Sequence, residues 1–172
     1  MRLAILTSLC LAMASCGNDD DDDNNEVAPS ADAGFTETIT DVPSDYKSSS
    51  QFFTLTEGLV PAAEKSPHGA NQIWYSTAVQ GFVGQAGFTA PVGTIAVKEY
   101  DASGDGEVDG IAVMIKQAAG YDPDNNDWYY DYRDVDGTIK SQPSPGANQT
   151  CIGCHAVWPE QDYLPGLLIL SE

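Results

Sequence analysis

The chain has 172 residues, with 26 acidic side chains against seven basic ones and a formal net charge of −19. So acidic a chain lacks the basic surface that nucleic-acid phosphates or an anionic membrane face require, which excludes both as charge-driven partners. Hydrophobic residues make up 42% of it, near the globular average, and the length suits one domain with little left for a second.

Residues 1–15 carry one charge, Arg2, ahead of an apolar run from Leu3 to Met13 interrupted by Thr7 and Ser8. This is the pattern of an export signal, and the run is too short for a permanent membrane-spanning helix. Met13-Ala14-Ser15-Cys16 at its end resembles the bacterial lipobox, with Met13 where Leu is usual. Residues 1–15 are therefore read as a lipoprotein signal peptide and Cys16 as the lipid anchor, with ordinary cleavage and a free Cys16 as the alternative. The protein is expected to be exported and lipid-anchored to a bacterial membrane, facing the periplasm or exterior. Residues 16–45 follow as an acidic tether. Ten acids and no Lys or Arg lie between Asp19 and Asp45, and so polar a stretch buries too little surface to offset its ordering entropy. Mutual repulsion along Asp19 to Asp23 explains that run better than a calcium site does.

The domain is expected over residues 46–172, with 16 acids against six bases, a net of −10. Helices are read at Phe53 to Glu64 and, weakened by Gly81 and Gly84, at Ser76 to Gln85. Gln72 to Thr77 reads as a strand. Thr94 to Tyr100 and Gly110 to Lys116 are β-rich runs joined by a Gly/Asp loop, a hairpin. Alternation puts Thr94, Ala96, Lys98 and Tyr100 on one face, with Ile95 and Val97 on the other. The loop from Asp101 mimics an EF-hand at positions one, three, five, six and nine. Ala112 stands at position twelve, where a bidentate Glu belongs, and the flanks read as strands, so a solvated acidic loop is preferred over calcium. Asp127 to Asp134 is a further strand with Trp128, Tyr130 and Tyr132 on one side, and Asp136-Gly137 marks a tight turn. The fold class is α+β, mainly β: an antiparallel sheet with a few short helices in one domain.

Of four cysteines, Cys10 lies in the signal and Cys16 is the proposed anchor. The others form Cys151-Ile152-Gly153-Cys154-His155, the c-type haem attachment motif: two thiols add to the haem vinyl groups and the adjacent imidazole reaches the iron. A zinc half-site would need two more ligands, and the only other His is His68. A thioredoxin-like pair would need a βαβ context. A disulfide across two residues would be strained and would leave His155 without a role. One covalently bound c-type haem is therefore expected, on Cys151, Cys154 and His155. Only 17 residues follow His155, none of them Met, His or Lys, so a sixth ligand would have to be Met114 or His68. An open distal position suits the sequence better, and open iron means ligand binding or redox chemistry. His68 also reads as a turn or strand-start residue. Phe82, Phe88 and the tyrosines at 129, 130 and 132 are candidates for an apolar pocket lining or for plain core. Leu164 to Leu170 is expected to pack on the domain.

Pro91-Val92-Gly93-Thr94-Ile95-Ala96-Val97-Lys98-Glu99, then Gly120-Tyr121-Asp122-Pro123 through Trp128-Tyr129-Tyr130, then the haem motif, together resemble cytochrome P-460. The related cytochrome c′-beta proteins are similar, and the resemblance covers roughly Ser66 to Trp158. It implies a β-rich, usually dimeric protein with one five-coordinate c-type haem. From the cytochrome P-460 members it implies hydroxylamine oxidation and a lysine bonded to the porphyrin. From the c′-beta members it implies nitric oxide bound in an apolar pocket without that bond. The lysine carried over is Lys98, whose small face neighbours Thr94 and Ala96 leave room for a flat macrocycle. Desolvation there would lower its pKa and free the amine as a nucleophile. A surface Lys paired with Glu99 or a propionate is the alternative, and Val92 departs from the family's polar turn residue. Three functions therefore stand: oxidation of a small nitrogen compound, binding of a diatomic gas, and plain electron transfer. A redox partner protein is expected to dock through a basic surface.

Overall fold

Alternating apolar side chains let one sheet bury both of its faces. The computed structural model describes residues 38–61, 68–141 and 145–166. Its five strands are β1 (Phe52–Thr54), β2 (Ala70–Ser76), β3 (Ile95–Asp101), β4 (Gly110–Lys116) and β5 (Trp128–Arg133). They lie in chain order, each antiparallel to its neighbours. One helix, α1 (Gln149–His155), follows. The result is a mainly β single domain with the hairpin, the later strand and the face assignments expected from the sequence.

The register stacks the first face in rows. Ile73, Lys98, Ala112 and Tyr132 lie opposite one another across β2 to β5, and Tyr75, Ala96, Met114 and Tyr130 form the next row. A core on this face joins Tyr75, Ala96, Met114, Trp128 and Tyr130 to Ile152 of α1 and to Leu164. The other face buries Val97, Val113, Ile115 and Tyr129 with Phe52 and Tyr46. Each fully buried aliphatic there contributes about 2 kcal/mol. Gly110 is required at the start of β4, because a Cβ would stand 2.6 Å from the Tyr100 hydroxyl and 2.9 Å from the Arg133 carbonyl.

Buried charges on the second face are paired. Asp131 is bonded to the Arg133 guanidinium at 2.7 Å and accepts the Tyr129 hydroxyl at 2.8 Å. Arg133 also donates to the Thr40 carbonyl at 2.8 Å, and the Gln117 amide exchanges two 2.7 Å bonds with the Ile39 backbone. The folded part thus begins upstream of residue 46, the expected boundary. The signal peptide, Cys16 and residues 17–37 lie outside the described residues. Among the described residues no helix is long and apolar enough to cross a membrane.

Two helical expectations are corrected. Phe53 and Thr54 belong to β1, and the chain then bends through residues 55–58. The hydroxyls of Thr54 and Thr56 bond to the carbonyls two residues on, at 3.1 and 3.3 Å, an alternative to helical bonding for this backbone. Residues 62–64 of that span are not described. Ser76 to Gln85 yields one 3-10 turn, Thr77–Val79, because Gly81 and Gly84 take left-handed φ of 85° and 80°. The β3–β4 loop satisfies itself: Asp101 accepts the N–H of Gly104 at 2.6 Å and Gly106 at 2.8 Å, and Asp109 accepts those of Ala102 and Ser103 at 2.8 Å. Asp136-Gly137 lies in a turn closed by the Gly137 N–H on the Asp134 carbonyl at 2.9 Å. Of the C-terminal run, Leu164 is buried and residues 167–170 are not described.

Candidate functional site

The motif sits on α1, where positions 151, 154 and 155 fall at i, i+3 and i+4 and share one helix face. Ile152 turns into the core. The Asn148 side chain donates to the Tyr130 carbonyl at 2.6 Å, pinning the start of the helix to β5. Facing the motif are the two rows of the sheet. Helix and sheet line an open pocket that brings Cys151, Cys154 and His155 together with Lys98, Met114 and His68. Among the described residues, the candidate attachment, ligand and cross-link residues all line this one space. The floor is small and apolar, with Ala96 and Ala112 flanked by Ile73 and Met114.

The electrostatics suit the Cys151 thiol and both imidazoles in their neutral forms. Burial pushes the His155 imidazole down to about 4; the Tyr163 carbonyl opposes the shift and Lys98 adds to it. His155 Nδ1 lies 2.8 Å from that carbonyl, which fixes the N–H at Nδ1 and leaves the Nε2 lone pair available to a metal. Burial likewise takes His68 down to about 4, helped by Lys98 and His155. Its ring lies 5.9 Å from that of Tyr100 and 6.0 Å from that of Tyr132, so two tyrosines flank it. Burial lowers the Lys98 pKa, and the nearby Cys154 and Cys151 thiols work against that shift. Burial raises the Cys151 thiol, with the Tyr132 hydroxyl opposing it.

These residues fit a flat, largely apolar group held by two thiols and an imidazole. Open space surrounds the position of a Cβ on Gly153, between the thiols. Tyr130 is buried and lines the pocket, and its hydroxyl has no hydrogen-bond partner among the described residues. A donor in this state suits an acceptor bound in the pocket.

Some expectations about the lining change. Phe82 is 51% exposed and stacks on Phe88 at 6.0 Å, away from the pocket. Tyr129 packs on the opposite face, while Tyr130 and Tyr132 line the pocket, as alternation along β5 requires. The Tyr163 carbonyl went unforeseen, since a backbone acceptor has no residue-type signature. No protein-family model matches the chain, and a comparison with curated proteins finds no match either. What fold and site define is a mainly β domain whose sheet and helix α1 line a dithiol–imidazole pocket.

Proposed function

We propose that this domain is a mono-haem c-type cytochrome with an open distal position, which oxidises hydroxylamine or a similar small nitrogen compound. The observation that supports it is the convergence of Cys151, Cys154, His155 and Lys98 on one apolar pocket. Cys151 and Cys154 would hold the haem by thioether bonds, and His155 would bind its iron through Nε2. The bound haem would supply an exchangeable coordination position and one-electron steps to an external acceptor protein. Ile73, Ala96, Ala112 and Met114 keep the pocket apolar, and Tyr130 offers a hydrogen bond inside it. Lys98, desolvated and facing the thiols, is the side chain that the cytochrome P-460 resemblance assigns to the porphyrin bond. The signal and lipobox patterns support a location outside the cytoplasm, tethered through Cys16, and the resemblance supports a homodimer.

The apolar lining also supports a second reading, binding of nitric oxide or another diatomic gas, as in the cytochrome c′-beta proteins. Met114 in the same pocket keeps plain electron transfer as a third. Stopped-flow mixing of the haem-loaded protein with hydroxylamine and an oxidised dye separates them. Haem-dependent dye reduction supports the oxidase; its absence, with a carbon monoxide shift in the ferrous spectrum, leaves the gas binder. No carbon monoxide shift leaves the electron carrier. The mass of the haem peptide reports directly on Lys98.

A further inference from the structure

Two consecutive non-glycine residues near the C-terminus, Asp162 and Tyr163, take left-handed backbone with φ of 46° and 66°. For a bulky residue this conformation is strained, and it persists only where the surroundings over-determine it. Here they do. Lys116 Nζ lies 2.9 Å from both carboxylate oxygens of Asp162 and 2.6 Å from the Asn126 carbonyl. The Ala90 N–H donates to Asp162 Oδ2 at 2.8 Å, and Trp128 Nε1–H donates to the Asp162 carbonyl at 3.0 Å. Both members of the ion pair are buried. Such a pair adds little net stability over a hydrophobic substitute, so a conformational role has to be sought. What this turn delivers to the site is the Tyr163 carbonyl, 2.8 Å from His155 Nδ1.

We propose that Asp162 is a positioning residue: gripped by Lys116, it holds the Tyr163 carbonyl against His155 and so fixes the tautomer and orientation of the imidazole. The proposal rests on the reading of His155 as the iron ligand. An acceptor on Nδ1–H makes the ring a more basic ligand, so losing it weakens the iron–imidazole bond and disfavours the oxidised state.

Asp162→Asn alone leaves Lys116 buried without its counter-charge, so the double variant Asp162→Asn/Lys116→Met is measured beside it. The sample is the full chain matured with haem. In the ferrous protein the iron–histidine stretching band is expected at lower frequency and the reduction potential is expected higher, at unchanged haem content. Lys116→Arg, which keeps the pair, should retain both wild-type values. So should Lys140→Met, which removes an ion pair with Asp134 that is more exposed. Wild-type band and potential in a folded double variant overturn the proposal. Failure of the haem reading shows separately, as no covalent haem on the wild-type chain. In that case nitrogen NMR of His155 decides: a protected Nδ1–H lost in the double variant supports the coupling, and protection in both overturns it.

Discussion

Removing one oxygen from Tyr130 should change the stability of the haem-free and haem-loaded protein in opposite directions. Tyr130 is 4% exposed and its hydroxyl has no partner among the described residues. The unfolded chain gives that hydroxyl to water, so folding leaves an unmet polar group worth about 1–3 kcal/mol. Tyr130→Phe removes the penalty while keeping the ring beside the His155 imidazole, at a centroid separation of 5.7 Å. The small void left behind offsets part of the gain, giving a net stabilisation of about 1 kcal/mol, or about 4 °C in Tm for a domain of this size. Urea unfolding of the haem-free chain, followed by tryptophan fluorescence with m-values compared, measures it. In the loaded protein the hydroxyl meets an acceptor, so the same substitution should cost about 1 kcal/mol. Destabilisation of the haem-free chain would refute the reasoning, because the hydroxyl would then have a partner within the protein. Equal effects in both forms would show that the pocket's contents offer Tyr130 nothing.

Cys151→Ala should leave a haem held through Cys154 alone, seen as a haem peptide with one thioether and a shifted haemochrome band; haem still attached at both positions refutes the attachment scheme. Ala112→Phe, on the floor opposite Lys98 and Tyr132, overpacks the pocket by about 1–3 kcal/mol. Covalent loading should fall about tenfold while circular dichroism stays unchanged; full loading would place the haem elsewhere. His68, at about 4 against an ordinary 6.5, takes up a proton more readily in the unfolded chain than in the folded one. Its contribution to stability is complete above pH 6.5 and is lost as pH falls towards 4, by up to about 3 kcal/mol before solvent screening. His68→Gln, which does not titrate, should flatten that part of the urea-midpoint profile of the haem-free chain; an unchanged profile rejects a neutral, half-buried His68.

The strands were legible because their side chains obey a period of two against two buried faces. Lys98 fell on the same face as Ala96 and Tyr100, and Tyr130 on the same face as Tyr132, from alternation alone. Length hid α1: seven residues containing Gly153, preceded by Pro145, Gly146 and Asn148, show neither periodicity nor propensity. Tertiary contacts hold it instead, through Ile152 in the core and Asn148 on β5. The false helix at residue 53 has the converse cause, since edge pairing with β2 outweighs an apolar composition that suits either structure. At the site, Cys151, Cys154 and His155 were legible because their chemistry requires a fixed local spacing. The Lys116–Asp162 pair joins residues 46 positions apart, and no local pattern encodes such a contact.

The acidity acquires a structural meaning once the bases are located. Of the six after Tyr46, four are held in ion pairs: Lys47 with Glu99, Lys116 with Asp162, Arg133 with Asp131 and Lys140 with Asp134. Lys98 faces the pocket and Lys65 is not among the described residues. The domain therefore pairs four of its cations with its own carboxylates; Asp101 and Asp122 are buried, while acids such as Asp105, Glu107, Asp109, Asp124 and Asp136 face solvent. A field of that sign speeds the approach of a basic redox partner and fades with added salt. Within the pocket the apolar floor of Ile73, Ala96, Ala112 and Met114 favours small uncharged molecules over ions, whose desolvation costs far more.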